Sequence, residues 1–251
     1  MPSVDFRSTR IYLDAPLTSG GEVSFERDET NYLRNVLRLG HGDAVLLFNG
    51  RDGEWRAKLG LSGKRALSAT VGECLRPQPE AHDLHFLFAP LKHARLDYLV
   101  QKAVEMGVSR LQPVMTRHTQ VARVNVERMR ANAIEAAQQC GVLSLPEINE
   151  PMPFKAVVDN PDTRRLLVFC DEDAAVIDPM AALAQARGGH PSPMPLAVLI
   201  GPEGGFAEDE RAALMRRPNV ARVALGPRVL RADTAAVAAL ALVQAVLGDW
   251  K

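Results

Sequence analysis

The chain carries no net charge, few aromatics, no long apolar run and no paired cysteines. Its 251 residues hold 30 Lys and Arg against 30 Asp and Glu. The basic excess common among nucleic-acid-binding proteins is therefore missing. Affinity for RNA depends on where charge sits, so the total neither supports nor excludes it. No apolar stretch is long enough to span a bilayer, and Met1 to Arg10 carry charge in place of the apolar core of a secretory leader. The expected location is the cytoplasm, with no membrane partner. Cys74, Cys140 and Cys170 are odd in number, far apart and in no C-x-x-C pair. That argues against a disulfide framework and a zinc site; no metal is expected, and Cys140 and Cys170 are expected to be buried.

Common catalytic signatures are absent too. There is no Walker loop, no G-x-S-x-G elbow and no H-E-x-x-H, and the six histidines are scattered. A dinucleotide fingerprint needs G-x-G-x-x-G, and Gly201-Pro202-Glu203-Gly204-Gly205 has the wrong spacing. Glu203 would also set a negative charge where a pyrophosphate should lie.

What is present divides in two. Residues 1–72 show short strands separated by turn signals: Arg10 to Leu13, Ala44 to Phe48, Trp55 to Leu59 and Ala66 to Val71. Ser24 to Leu39 has helical spacing, with Tyr32, Leu33, Val36 and Leu37 on one face. This reads as a compact barrel-like module. Arg76-Pro77-Gln78-Pro79-Glu80 is an extended connection, and beyond it strands alternate with helices. Strands are expected at 84–89, 110–115, 165–170, 195–200 and 221–225. Helices are expected at 94–106, 126–140, 179–187 and 234–247, with Asn125 and Gly141 as cap and stop of the second. The alternation implies a mostly parallel sheet covered on both faces. The last helix is apolar all round, which calls for burial all round, within the domain or against a second subunit.

Two strand–loop–helix units stand out. Leu199-Ile200-Gly201-Pro202-Glu203-Gly204-Gly205-Phe206 and Leu225-Gly226-Pro227-Arg228-Val229-Leu230-Arg231-Ala232-Asp233-Thr234 each break a buried strand into Gly and Pro. Glycine at such a site lets backbone approach a ligand closely, and open α/β sheets bind ligands at the carboxyl ends of their strands. A ligand recognised through main-chain groups, neutral or cationic, suits the pair; S-adenosylmethionine, with its positive sulfonium, fits. Asp233 and Thr234 are good helix caps. Cys170-Asp171-Glu172-Asp173 follows a third strand, and its acids could hold a ribose hydroxyl. Lys92, Arg95, Asp97, Gln101, Lys102 and Glu105 form a polar set that a salt-bridged helix surface would also explain.

Taken together, these motifs resemble the RsmE family, the 16S ribosomal RNA uridine N3-methyltransferases of the SPOUT class. The resemblance rests on Ile200 to Phe206 and Leu225 to Ala235. It extends to Phe6-Arg7-Ser8-Thr9-Arg10, Val36 to Leu39, Lys92 to Asp97, Gln101 to Val108 and Glu135 to Gly141. It implies a small PUA-like β-barrel domain over 1–72 that binds RNA. It also implies a SPOUT-type α/β methyltransferase domain over 73–251, its carboxyl-terminal part threaded into a trefoil knot. S-adenosylmethionine would be the cofactor, 16S rRNA within the small ribosomal subunit the substrate, and a homodimer the active form. Carried onto this chain, the cofactor contacts are Phe169, Cys170, Asp171 and Glu172; Ile200, Gly201, Pro202, Glu203, Gly204 and Gly205; and Leu225, Gly226, Val229, Leu230, Arg231 and Thr234. Arg231 or Arg228 would stabilise charge on the base. Asp233 or Glu203 would accept the proton or orient that arginine. Arg7, Arg10, Arg34, Arg38 and Arg117 would meet RNA. Two other classes are a nicotinamide oxidoreductase, opposed by the loop spacing, and a non-catalytic RNA adaptor.

Overall fold

A computed structural model describes residues 8–62, 66–92, 94–174, 178–188 and 193–250. The chain forms two compact units, residues 1–80 with 137–145, and 81–136 with 146–251.

The first unit contains β1 (Arg10–Tyr12), β2 (Glu22–Ser24), α1 (Arg27–Asn31), β3 (Ala44–Phe48), β4 (Glu54–Ser62) and β5 (Ala66–Arg76). They make a five-stranded sheet in the order β1-β3-β4-β5-β2, with β1 parallel to β3 and the other pairs antiparallel. Alternation along β3 to β5 sends Val45, Leu47, Ala57, Leu59, Leu67, Ala69 and Val71 into one core. The helix expected from Ser24 to Leu39 is broken. Ser24 ends β2, α1 is short, and Tyr32–Val36 is a π-helical turn that leaves Tyr32 and Val36 exposed. The division expected after residue 72 would cut β5, which continues to Arg76; the boundary falls at residue 80.

The second unit runs β6 (Leu84–Phe88), α2 (Ala94–Glu105), β7 (Arg110–Met115), α3 (Val126–Cys140), β8 (Glu147–Ile148), β9 (Met152–Pro153) and α4 (Phe154–Val158). It continues through β10 (Leu166–Cys170), α5 (Pro179–Arg187), β11 (Leu196–Ile200), α6 (Glu208–Met215), β12 (Val220–Val223) and α7 (Ala232–Val246). The last residues of α3, from Ala137, cluster with the first unit. Asn125 caps α3 by accepting the Arg128 N–H, and Gly141 stops it at φ 67°.

The seven-stranded sheet is parallel throughout, in the order β12-β10-β11-β6-β7-β8, with β9 also on β7. Every residue of β10 and β11 is buried, as expected of strands covered on both faces. Phe154 of α4, Leu214 of α6 and Phe206 share one core cluster with sheet residues Phe169 and Leu199. Helix α7 packs against α2, α5 and β11. It buries Ala236, Ala239, Leu240 and Val243, while Val237, Ala238, Ala241 and Leu242 remain half-buried. Because β12, β10 and β11 are parallel neighbours, the three loops at their carboxyl ends emerge side by side.

Among the described residues, no helix is long and apolar enough to cross a membrane. Cys74 is exposed and Cys170 buried; Cys140, expected inside, is exposed at the end of α3.

Candidate active site

The loops after β10, β11 and β12 enclose a cavity of about 550 Å³, within the range of cofactor pockets. Its wall includes Cys170, Asp171 and Glu172, the whole of Ile200 to Gly205, and Ala224 to Ala232 with Ala235. The last stretch includes Leu225, Gly226, Val229, Leu230 and Arg231. Two of its glycines have no room for a side chain. A Cβ on Gly201 would lie 2.5 Å from the Phe206 ring. Gly205 sits at φ 68°, and a Cβ there would come within 2.2 Å of Glu172 Oε1. A side chain at Gly201 would have to displace the buried Phe206 ring, and one at Gly205 would be strained by its φ and would force the Glu172 carboxylate aside.

The acids divide into engaged and accessible groups. The Asp171 side chain is fully buried, 3.1 Å from Arg211 Nε and 2.7 Å from an Arg222 terminal nitrogen. Its carboxylate therefore ties α6 and β12 to the loop after β10 and is not available to a ribose hydroxyl. Glu172 and Asp173 each lie 2.8 Å from Arg211, and Glu172 is the acid left at the cavity mouth. These three carboxylates come close enough to share a cation, and the Arg211 guanidinium already occupies that role. Burial first, then the neighbouring Asp171 charge, pushes the Cys170 thiol up to about 12. It stays protonated at neutral pH and is no nucleophile.

Arg95 of α2 ties the loop after β11 to the start of α7. Its Nε and a terminal nitrogen donate to the two Asp233 oxygens at 3.0 and 3.1 Å, and its second terminal nitrogen donates to Glu203. The hydrogen bonds from Arg95 hold Asp233 below the usual carboxylate range and raise the Arg95 guanidinium in turn. Asp233 and Glu203 therefore orient an arginine, and that arginine is Arg95, not Arg231 or Arg228. The rest of the polar set on α2 faces elsewhere: Asp97 receives Arg128 and Asn132, and Gln101 donates to Asn132. Arg228 and Arg231 are exposed at the cavity rim and meet no acid among the described residues. The expected cap of α7 is also displaced. The helix opens at Ala232, Arg231 occupies the cap position, and Asp233 Oδ1 accepts the Thr234 N–H at 2.9 Å.

Two expected cofactor contacts lie off the cavity wall. The Phe169 ring is fully buried in the core, edge-on to Phe206 at 5.0 Å, and Thr234 is exposed on α7. His118, one of the scattered histidines, turns Nδ1 to the carbonyls of Gly204 and Gly205 at 3.2 and 3.0 Å. No spacing rule would have found it.

The expected RNA residues also separate. Arg10 is buried: its Nε donates to Glu54 at 2.5 Å, and Arg76 donates to the same carboxylate at 2.7 Å. Burial pushes the Glu54 carboxyl up, but the hydrogen bonds from Arg76 and Arg10 outweigh it and hold the group down. Arg10 is thus a structural ion-pair residue, unable to reach a phosphate. Arg117 is exposed but bidentate on Asp209, at 2.8 and 2.6 Å. Arg38 is exposed at φ 58° just after the π-helical turn, and Arg34 lies half-buried within it. Arg7 lies outside the described residues.

A family model for an RNA methyltransferase domain matches residues 78–244, and one for an RNA methyltransferase PUA domain matches 25–72. The ribosomal RNA small subunit methyltransferase E of Rickettsia conorii is 30% identical over 236 residues, covering 94% of each chain. A ribosomal RNA small subunit methyltransferase E from Neisseria gonorrhoeae, crystallised with S-adenosylmethionine, superposes with a TM-score of 0.83 at 26% identity. That match covers 98% of this chain and all of the other. A Legionella pneumophila methyltransferase solved with the same cofactor gives a TM-score of 0.78 at 26% identity, covering 95% of this chain and 98% of the other.

Proposed function

Because the chain belongs to the RNA methyltransferase family that includes ribosomal RNA small subunit methyltransferase E, we propose that it methylates N3 of a uridine in 16S rRNA, using S-adenosylmethionine. The observation that carries this reading is the main-chain cavity at the ends of β10, β11 and β12. Gly226 lines the cavity with nothing within 4 Å of where its Cβ would lie, and Glu172 and Glu203, though paired with Arg211 and Arg95, keep carboxylate oxygens on the wall for ribose hydroxyls. Bound there, S-adenosylmethionine supplies an electrophilic methyl group.

The chain's own residues then orient and stabilise. Holding the base at near-attack distance accounts for much of such catalysis. As the N3 proton leaves to solvent water, negative charge grows on O2 and O4 of the uracil; Arg231 at the rim is the cation placed to stabilise it. Asp233, lowered by Arg95, is a weak proton acceptor and serves to keep Arg95 between the loop after β11 and the start of α7. Arg34 and Arg38 meet RNA phosphates from the amino-terminal unit, which acts as a PUA-like barrel. The carboxyl-terminal part is threaded as a trefoil knot, and the half-buried face of α7 packs in a homodimer in the cytoplasm.

Titration calorimetry with S-adenosylmethionine tests the cavity. Saturable binding at one site per chain, weakened by Gly201→Val, is expected. An RNA adaptor without transfer activity would show no binding, as would an oxidoreductase, which would bind NAD instead.

A further inference from the structure

Beyond the cavity itself, the loop from Gly226 to Arg231 has an unusual surface. Val229 is 88% exposed, against 62% for Val36, the next most exposed large aliphatic among the described residues. It stands on the rim between Arg228 and Arg231, both exposed and without an acid partner among the described residues. Gly226 opens the loop at φ 101°, and a Cβ there would meet nothing within 4 Å, so open space lies beside the turn.

We propose that Val229 is a wedge that enters the RNA base stack beside the target uridine, while Arg228 holds a flanking phosphate and Arg231 stays with the base. This rests on the reading that uridine N3 is the atom methylated. N3 is the donor a uridine uses in base pairing. A methyl group can reach it only when the base is unpaired or turned out of the stack. Proteins that unstack nucleic acid insert an apolar side chain into the gap and fix the adjoining backbone with cations. The rim offers that combination at the mouth of the cofactor cavity. The alternative occupant, a second copy of this chain seated symmetrically on the same loop, would bring arginine against arginine. A polyanion is the partner that the charge favours.

The test uses a 16S rRNA fragment around the methylated uridine, single-stranded or annealed so that the uridine pairs with adenine. The kcat/KM for methyl transfer is measured at saturating S-adenosylmethionine for wild type, Val229→Ala and Val229→Leu. The preference for unpaired over paired RNA should widen about tenfold in Val229→Ala, the effect of losing roughly 1.4 kcal/mol of gap stabilisation. Val229→Leu should keep the wild-type ratio. A 2-aminopurine placed beside the uridine in the paired RNA should brighten on binding wild type and brighten less with Val229→Ala. An unchanged ratio together with equal brightening overturns the wedge, as does a loss of self-association in Val229→Ala by sedimentation. Normal brightening with transfer to an atom other than N3 overturns the functional reading and leaves the wedge standing.

Discussion

The two ends of the parallel sheet treat charge in opposite ways. At the amino ends the network closes. Asp83 receives Arg165 at 2.8 and 2.9 Å, His85 lies 3.1 Å from Asp83, and Arg110 pairs with Glu147 at 2.7 Å. Burial, then the Arg165 and Arg110 charges, pushes His85 down to about 4 in spite of the Asp83 carboxylate. At the carboxyl ends the network is left open. Asp171 and Asp233 are matched to arginines, but Arg228 and Arg231 have no acid partner among the described residues at the rim of the cavity. The same strands supply both ends. Chemistry belongs to the end where the fold leaves charge and backbone without protein partners.

Variants at the open end should affect turnover most. Arg231→Ala is expected to lower kcat by about 10²–10³-fold, the usual effect of removing one group that stabilises transition-state charge. Its cofactor affinity by calorimetry should change little; near-normal turnover would remove Arg231 from the mechanism. Gly205→Ala should come next. It combines a strained φ with a collision at Glu172, so cofactor Kd should rise by about 30-fold while kcat falls less.

At the closed end the expected effect is on stability alone. His85 is neutral when folded and has an ordinary value of 6.5 when unfolded, so the unfolded chain binds the extra proton. Stability contributed by the neutral form is complete above about pH 6.5 and is lost as pH falls toward about 4. Between pH 7.5 and 5 the loss attributable to this group should be about 2 kcal/mol. His85→Gln should flatten that part of the denaturation profile without altering methyl transfer at pH 7.5. The smallest effect belongs to the first unit: Arg38→Ala should reduce the salt dependence of RNA binding by about one unit of slope, with a modest loss of affinity.

Much of this contrast is legible in the sequence. Apolar runs bounded by Gly and Pro place β10, β11 and β12 nearly to the residue, and parallel alternation by itself brings their loops together. The same logic cannot see partners distant in the chain. Arg10 reads as a surface cation until Glu54 and Arg76 meet it in the interior. Arg95 reads as one charge in a mixed helix face, yet its partners lie 108 and 138 residues away. Phe169 is the penultimate residue of an apolar strand beside the site, but strand alternation turns its ring into the core. The π-helical turn at Tyr32–Val36 carries apolar residues at helical spacing, and only the fold shows that Tyr32 and Val36 face out.

The most direct measurement is methyl transfer from labelled S-adenosylmethionine by the purified protein to small ribosomal subunits and to naked 16S rRNA, each lacking the modification. The modified base is then mapped by mass spectrometry. The account predicts a single methyl group on N3 of one uridine in at least one of the two substrates. Transfer to a ribose hydroxyl or to another base, or no transfer at saturating cofactor, would contradict it.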